Sequence, residues 1–225
     1  MIWKFSLDGI EFPGWKLIRL QEIQTPGWPP ASQSVWRSTE SETDALMLVS
    51  IYETSSRSEA HEFLMQLLGE FQSPEVTRLE EGKIGDVAFA TPGETAILFA
   101  RANVVALMQN GGSSIVPLTE PAIWLDKILS GPEEPVQGQV APQVQRFAPM
   151  AEELKAGVGI PFNVEAVDPL GRPVWYMLFS PNGEFHLESG RPVYQPAIAG
   201  THRVTLYAIN PNRGVAHQEI SISVE

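Results

Sequence analysis

Trp15, Trp28 and Trp36, three of the four tryptophans in the first forty residues, are the side chains best suited to contact a ligand. Trp15 and Trp28 each directly follow a Pro-Gly pair, and Trp36 lies a few residues further along the chain. An exposed tryptophan presents a flat apolar surface with one hydrogen-bond donor, which suits stacking on a sugar or anchoring a partner protein. We therefore expect a protein or a glycan as the partner. The alternative is that these tryptophans only cover one side of a sheet.

Nucleophiles and acids show no pattern that is typical of catalysis. Ser113 and Ser114 follow two glycines but lack the Gly-x-Ser-x-Gly turn that exposes a catalytic serine. Acids such as Asp86 and Glu94 would form a site only if the fold brought them together in a cleft. We expect no catalytic residue and a non-enzymatic protein, with an enzyme that uses scattered acids as the alternative.

The residue types that hold metals and redox groups are also sparse. The chain has no cysteine, which removes thiolate ligands, disulfides and iron–sulfur clusters. Its four histidines form no His-x-x-His or His-x-x-x-His pair. Glu40, Glu42 and Asp44 alternate along the chain, but they lack the Asp/Asn/Gly loop of a calcium site and are interpreted as a solvated edge. We expect no metal and no cofactor.

Charge disfavours two classes of partner. The net charge is −12, with −8 before residue 131 and −4 after it, and basic residues form no cluster longer than two. Nucleic acids and anionic membranes both require a Lys/Arg patch, so we expect neither as a partner. No apolar run reaches the length of about 18 residues that a membrane span needs.

A segment rich in Pro, Gln and Gly divides the chain. Residues 131–149 read GPEEPVQGQVAPQVQRFAP, and this composition has too little apolar surface to offset the entropy of ordering. Spaced prolines make such a segment an extended spacer. We therefore predict a domain at 1–130, a linker at 131–149 and a second domain at 150–225.

The first predicted domain mixes strands with two helices. Residues 56–72 show an apolar stripe of period 3.6 that begins with a Ser56/Glu59 capping box, and 119–130 show a second stripe with Thr119 as the cap. Residues 44–53 are apolar on both sides, which predicts a central strand that is covered on both faces. The order predicts an α+β domain, an antiparallel sheet with two helices. The other strands are predicted at 2–6, 15–23, 33–38, 76–80, 84–90, 95–101 and 103–110.

The second predicted domain consists of strands and turns. Six short strands with Pro/Gly/Asn turns between them predict a β-sandwich, in which Trp175 lies mid-strand as a core residue. His202 alternates with Val204 and Leu206, so we expect it to point inward with one ring nitrogen hydrogen-bonded. The strands are predicted at 160–167, 173–179, 184–188, 191–194, 202–209 and 215–224.

One of these strands carries a family resemblance. Residues 199–208 read AGTHRVTLYA and resemble the penultimate strand of bacterial Ig-like and polycystic-kidney-disease-type domains, which commonly show Gly-x-Tyr-x-Val-x-Leu-x-Ala. His202 departs from that pattern because it stands where tyrosine is usual. The resemblance covers about 155–225 and implies an Ig-like sandwich.

The resemblance also implies a role and a location. Such sandwiches serve as spacers or adhesion units in exported bacterial proteins, so we expect a binding or scaffolding protein that is extracellular, periplasmic or on the cell surface. A carbohydrate-binding accessory module that uses exposed tryptophans is the alternative. Residues 1–10 lack the basic and apolar regions of a signal peptide, which implies either a cytoplasmic protein or the prior removal of a leader.

Overall fold

The protein is β-rich and divides into two compact units. Strands account for 47% of the chain and form three sheets. We call Ser6–Gly131 the sheet–helix unit, and Met1–Phe5 together with Pro132–Glu225 the two-sheet unit. The structure is a computed structural model, which describes residues 1–39, 44–70, 75–132 and 138–225.

The structure contains all the strands and both helices that the sequence predicts, and their ends differ from the predicted ones by a few residues. It also contains one strand that was not predicted, Gln143–Pro149. The helices are α1 (Arg57–Glu70) and α2 (Thr119–Leu129). Among the described residues, no helix is long and apolar enough to cross a bilayer. The strands are β1 (Ile2–Lys4), β2 (Trp15–Ile23), β3 (Ala31–Ser38), β4 (Leu46–Glu53), β5 (Thr77–Arg78), β6 (Val87–Ala90), β7 (Ala96–Arg101), β8 (Val104–Asn110), β9 (Gln143–Pro149), β10 (Ile160–Val167), β11 (Trp175–Phe179), β12 (Gly183–Glu188), β13 (Arg191–Pro196), β14 (Gly200–Ile209) and β15 (Val215–Val224).

One antiparallel sheet forms the base of the sheet–helix unit. Its strand order is β2-β3-β4-β8-β7-β6-β5, so β4, β8 and β7 lie in the middle. In β4, Met47, Val49 and Ile51 are buried on one side, and Ser50 and Tyr52 are buried on the other. This confirms the predicted central strand, and it means that both faces of the sheet must be covered.

Helix α1 covers one face of this sheet. Its predicted capping box is confirmed, because Ser56 Oγ accepts a hydrogen bond from the Glu59 N–H at 3.2 Å. The Glu59 carboxylate in turn accepts one from the Ser55 N–H at 2.8 Å. The predicted apolar stripe packs on β7 and β8 through Ala60, Phe63, Leu64 and Leu67.

Helix α2 contacts the other face. Leu98 and Ala100 belong to the cluster around α1, and strand residues alternate between faces, so Arg101 points to the opposite side of β7. There its guanidinium donates two hydrogen bonds to the Asp126 carboxylate of α2, at 2.8 and 2.7 Å. The two helices therefore complete a three-layer arrangement of helix, sheet and helix.

The two-sheet unit consists of two four-stranded antiparallel sheets. One has the order β1-β11-β14-β15 and the other the order β12-β13-β10-β9. Inward side chains from both sheets form a single hydrophobic core. Its buried members are Ile2, Phe147, Leu154, Ile160, Phe162, Leu178, Phe185, Leu187, Tyr194, Val204, Leu206, Ile222 and Val224.

The boundaries of this unit differ from those drawn on the sequence. Gln143–Pro149, which the sequence assigned to the linker, is the strand β9 and pairs with β10. Ile2–Lys4, which the sequence assigned to the first domain, pairs with β11. The physical reason is burial of single apolar residues, Phe147 and Ile2, in the core of this unit. The part of the predicted linker at 133–137 lies outside the described residues.

A buried carboxylate ties the loops together at one end of the two-sheet unit. Asp168 has no exposed side-chain surface and accepts hydrogen bonds from the Arg172 guanidinium at 3.0 and 2.9 Å. It also accepts from the Leu170 N–H at 2.8 Å and from Asn210 Nδ2 at 2.6 Å. Arg172 and Asn210 both donate to the Val140 carbonyl as well, which fixes the chain just before β9.

His202 is buried as predicted, with 2% of its surface exposed. Its Nδ1 lies 2.7 Å from the Tyr194 hydroxyl, which lies 3.1 Å from Ser180 Oγ. Ser180 donates its only hydroxyl hydrogen to the Arg203 carbonyl, so Tyr194 must donate to Ser180 and accept from His202. Nε2 of His202 has no hydrogen-bond partner among the described residues.

Trp175 is also buried, with 2% of its surface exposed. It lies on the side of β11 opposite the core residue Leu178, and its ring contacts Phe5 with centroids 4.9 Å apart. Its burial agrees with the prediction. However, Trp175 does not belong to the hydrophobic core that lies between the two sheets.

The Asp168 network predicts a specific acid sensitivity. Hydrogen bonds from Arg172 lower the pKa of Asp168 to about 2, with further lowering from Leu170 and Asn210, although burial opposes the effect. An unfolded aspartate has a pKa of about 3.9. The stabilisation is therefore present above about pH 4 and is lost as the pH falls toward 2. We expect the unfolding free energy of the wild type to fall more steeply over this range than that of Asp168→Asn.

Urea denaturation followed by circular dichroism at several pH values measures this difference. Glu184→Gln is the matched control, since Glu184 is exposed on β12 of the same unit, and its curve should follow that of the wild type. Parallel pH curves for the wild type and Asp168→Asn would show that the carboxylate is not a source of stability.

Candidate functional site

A groove of about 670 Å³ opens on the surface of the sheet–helix unit. Two tryptophans, Trp15 and Trp124, and two carboxylates, Glu94 and Glu120, are among the side chains that line it. The other lining residues that the structure describes are Pro13, Gly14, Ser38, Val116, Pro117, Thr119 and Pro121, and none of the described lining residues is a lysine or an arginine. Small-molecule sites commonly have this size and this mixture of aromatic and polar groups.

A turn and a strand pair position Trp15. The Trp15 N–H donates to the Phe12 carbonyl at 3.0 Å, and Gly14 has a φ of 77°. Pro13 and Gly14 thus occupy the central positions of a turn that requires a positive φ at its third residue. Trp15 begins β2 and pairs with Ser38 of β3, which also lines the groove.

Phe12 joins the wall of the groove to the core of the unit. Its ring lies 4.9 Å from that of Trp36 and 5.0 Å from that of Trp124, measured between centroids. Trp124 is thereby held between the surface and the buried aromatic residues, and it stays half-buried. A side chain that is fixed in this way loses little further entropy when a ligand binds.

Glu94 also lines the groove, and its backbone conformation is strained. Its φ is 55°, which is uncommon for a residue with a Cβ, and such strain costs roughly 1–3 kcal/mol. Two hydrogen bonds hold it there. The Glu94 carbonyl accepts from the Leu118 N–H at 2.9 Å, and its carboxylate accepts from the Thr119 hydroxyl.

These two bonds explain a correction to the predicted start of α2. The sequence made Thr119 the N-cap, but the structure places Leu118 at that position and Thr119 inside the helix. The Thr119 hydroxyl is directed to Glu94 instead of to the helix backbone. Asn110 secures the preceding loop, since its amide bonds the backbone of Thr95 and of Val116.

The groove therefore has a defined chemistry. Two indole rings offer stacking surfaces, and the carboxylates of Glu94 and Glu120 accept hydrogen bonds from hydroxyl or ammonium groups. Its described charged side chains are all acidic, and they repel anions. Neutral polyhydroxylated or cationic molecules fit best.

The structure places the three predicted tryptophans in three environments. Trp15 lines the groove. Trp28 is half-buried on the α1 side of the sheet, where its ring lies 5.9 Å from Tyr52 and 5.5 Å from Phe63. Trp36 is 1% exposed, and its indole N–H donates to Ser34 Oγ at 2.7 Å, so it has no surface to offer a ligand.

Trp124 is the groove residue that the sequence reasoning missed. It lies in α2, outside the apolar stripe of Ala122, Leu125 and Leu129 that faces the sheet. The sequence does contain one signal for it, which is a large aromatic residue beside the apolar stripe in the first turns of the helix. Its pairing with Trp15 depends on the tertiary fold.

A second group of charged residues gathers around Asp86, one of the acids considered for catalysis. Arg57 Nε lies 3.0 Å from its carboxylate, and Arg101 Nη1 lies 3.4 Å from it. The Ala102 N–H donates to the same group at 3.1 Å, while His61 Nε2 stays 3.9 Å away. These contacts pair the charges with one another, which is typical of a structural network.

The remaining acids form no visible metal centre. No group of three or more His, Asp or Glu residues with metal-binding geometry occurs in the described part of the chain. Glu40 and Glu42, which the sequence considered together with Asp44, lie outside the described residues. Asp44 itself lies 3.9 Å from Arg37 on the surface.

Comparisons of the chain with family models, with curated proteins and with solved structures found no significant match. The function therefore has to be inferred from the groove itself.

The ion pair beneath α2 predicts a marked loss of stability on substitution. Asp126 and Arg101 retain 10% and 20% of their side-chain exposure, and Asp126→Ala would leave the arginine buried without this partner. We expect a loss of about 2–4 kcal/mol in unfolding free energy, measured by urea denaturation.

The matched control is Asp44→Ala, which removes the exposed partner of Arg37 and should cost less than about 0.5 kcal/mol. Equal effects of the two substitutions would contradict a structural role for the Arg101–Asp126 pair.

Proposed function

We propose that this chain is a non-enzymatic, two-domain binding protein whose ligand site is the groove between Trp15 and Trp124. The first domain is an α+β domain that carries the groove, and the second is an Ig-like β-sandwich. The partner is a protein or a glycan. The single observation that carries the proposal is the convergence of two tryptophans and two carboxylates on one groove.

The strand order of the two-sheet unit supports the Ig-like assignment. Constant-type immunoglobulin domains have one sheet of strands ABED and another of strands CFG. If β9 to β15 are lettered A to G in chain order, the sheet β9-β10-β13-β12 has the order ABED. The strands β11-β14-β15 of the other sheet then have the order CFG. The strand β1 adds a fourth member beside β11.

The sandwich supports a spacer or adhesion role. Domains of this kind commonly occur in exported proteins, so we place the protein outside the cytoplasm, in the periplasm or at the cell surface. The acidic charge of the chain is consistent with a partner that is neutral or basic.

A carbohydrate-binding accessory module is the second candidate, and a specific observation favours it. Trp15 and Trp124 line the same groove as two carboxylates and the hydroxyl of Thr119. Indole faces stack on the apolar faces of sugar rings, while carboxylates accept hydrogen bonds from sugar hydroxyls. The third candidate, a hydrolase that uses Glu94 and Glu120, is tested by the same experiment.

A panel of soluble polysaccharides, oligosaccharides and basic peptides, added to the whole chain, tests the proposal. A ligand at about one hundred times its Kd adds about 2.7 kcal/mol to stability. For a chain of this size, that corresponds to a rise in Tm of roughly 5–10 °C. Assaying the same mixtures for new reducing ends or cleaved peptide detects any hydrolysis.

Substitutions then assign the ligand to the groove. Trp15→Ala and Trp124→Ala should each weaken binding roughly thirtyfold, the effect of losing about 2 kcal/mol at a binding hot spot. Ile115→Ala is the matched control, because Ile115 is 69% exposed beside the groove without lining it. Full affinity in both tryptophan variants would overturn the proposal, and hydrolysis that is lost in Glu94→Gln would replace it with the enzyme.

A further inference from the structure

A separate pocket of about 380 Å³ lies in the two-sheet unit. It does not depend on the tryptophan groove, and all its lining residues belong to this unit. The lining residues are Lys4, Met150, Phe162, Asn163, Val164, Tyr176, Ser189, Gly190, Arg191 and Pro192.

Strand β1 and a tight hairpin build the rim of this pocket. Lys4 pairs with Tyr176 of β11, and its Nζ donates to the Gly190 carbonyl at 3.2 Å. Ser189 and Gly190 form the two-residue turn between β12 and β13, with φ values of 50° and 74°. Positive φ at both positions is the geometry of a type I′ hairpin, which fixes where Arg191 begins the next strand.

The rim is cationic, in a chain whose net charge is −12. Lys4 and Arg191 both line the pocket, and among the described lining residues there is no aspartate or glutamate. Among the ion pairs of the described residues, none includes either side chain. Two like charges that share a pocket without an acid attract anions there.

Apolar side chains also line the pocket. Met150 is 52% exposed and Val164 is half-buried, whereas Phe162 belongs to the core and is 1% exposed. The Tyr176 hydroxyl is already engaged by the backbone of Ala166, at 3.2 and 3.4 Å. A simple inorganic anion would contact Lys4 and Arg191 on the rim but would not contact the apolar side chains of the pocket.

We propose that this pocket binds a carboxylate that carries an apolar group. Lys4 and Arg191 hold the carboxylate, and Val164 and Met150 contact the apolar group. Charge-assisted hydrogen bonds to arginine and lysine are the strong contacts of such a site. The volume corresponds to about a dozen water molecules at roughly 30 Å³ each, which accommodates a carboxylate with a chain of several carbons.

The test is a titration of the isotope-labelled whole chain with octanoate, followed by NMR. Octanol, which has the same tail without the carboxylate, and inorganic phosphate, which has charge without a tail, are the matched probes. We expect saturable shifts at Val164, Tyr176 and Arg191 with octanoate, and binding of octanol and phosphate at least about tenfold weaker.

Charge-removing variants assign the effect to the rim. Arg191→Gln and Lys4→Gln should each weaken octanoate binding about fivefold to tenfold. Arg146→Gln, which removes the same charge from an exposed position on β9 of the same unit, should leave it unchanged. Thermal melts of the variants separate loss of the site from loss of the fold, and Arg191 is the cleaner position because it is exposed at the first residue of β13.

Three results would overturn the proposal: no shifts with octanoate up to about 10 mM, equal binding of octanoate and octanol, or full affinity in Arg191→Gln. A peptide that ends in an apolar residue, compared with its C-terminally amidated form, distinguishes the two sources of this chemistry. Tighter binding of the free-acid peptide than of octanoate identifies a chain terminus as the ligand, and the reverse identifies a free amphiphilic acid.

Discussion

The apolar residues on both faces of β4, β7 and β8 are the constraint from which the rest of the sheet–helix unit follows. A strand with Met47 and Val49 on one side and Tyr52 on the other is stable only if both sides are removed from water. Helix α1 covers one face through its apolar stripe, and α2 contacts the other through the Arg101–Asp126 pair. Placing α2 there brings Trp124 toward the first residue of β2, and this creates the groove.

Polar contacts have a different role in the two units. In the two-sheet unit, neighbouring groups form hydrogen bonds with the buried Asp168 carboxylate and with Nδ1 of His202, and these contacts fix loops and strands to the core. At the groove, Glu94 accepts the Thr119 hydroxyl while it keeps a strained backbone at the surface. The hydrogen bonds from Leu118 and Thr119 hold this conformation and connect Glu94 to the start of α2.

Local patterns in the sequence were sufficient for most of the secondary structure, but not for β9 or for the groove. The capping box at Ser56, the two-sided strand β4 and the strand of His202 all follow from periodicity and turn residues. The strand β9 was hidden because its composition is that of a linker, and only the burial of Phe147 marks it. Trp124 could not be paired with Trp15 because more than one hundred residues separate them, and periodicity carries no information about such long-range contacts.

The most direct test of the groove is the set of indole N–H signals in an NMR spectrum of the whole chain. The protein has six tryptophans, of which Trp15 and Trp124 line the groove. Oligosaccharides and basic peptides, added one at a time, should shift these two signals with a single dissociation constant, while the signal of Trp28, whose ring contacts Tyr52 and Phe63, stays in place. A shift of the Trp28 signal alone, on the α1 side of the sheet, or no shift with any of these probes, would contradict the assignment of the groove as the ligand site.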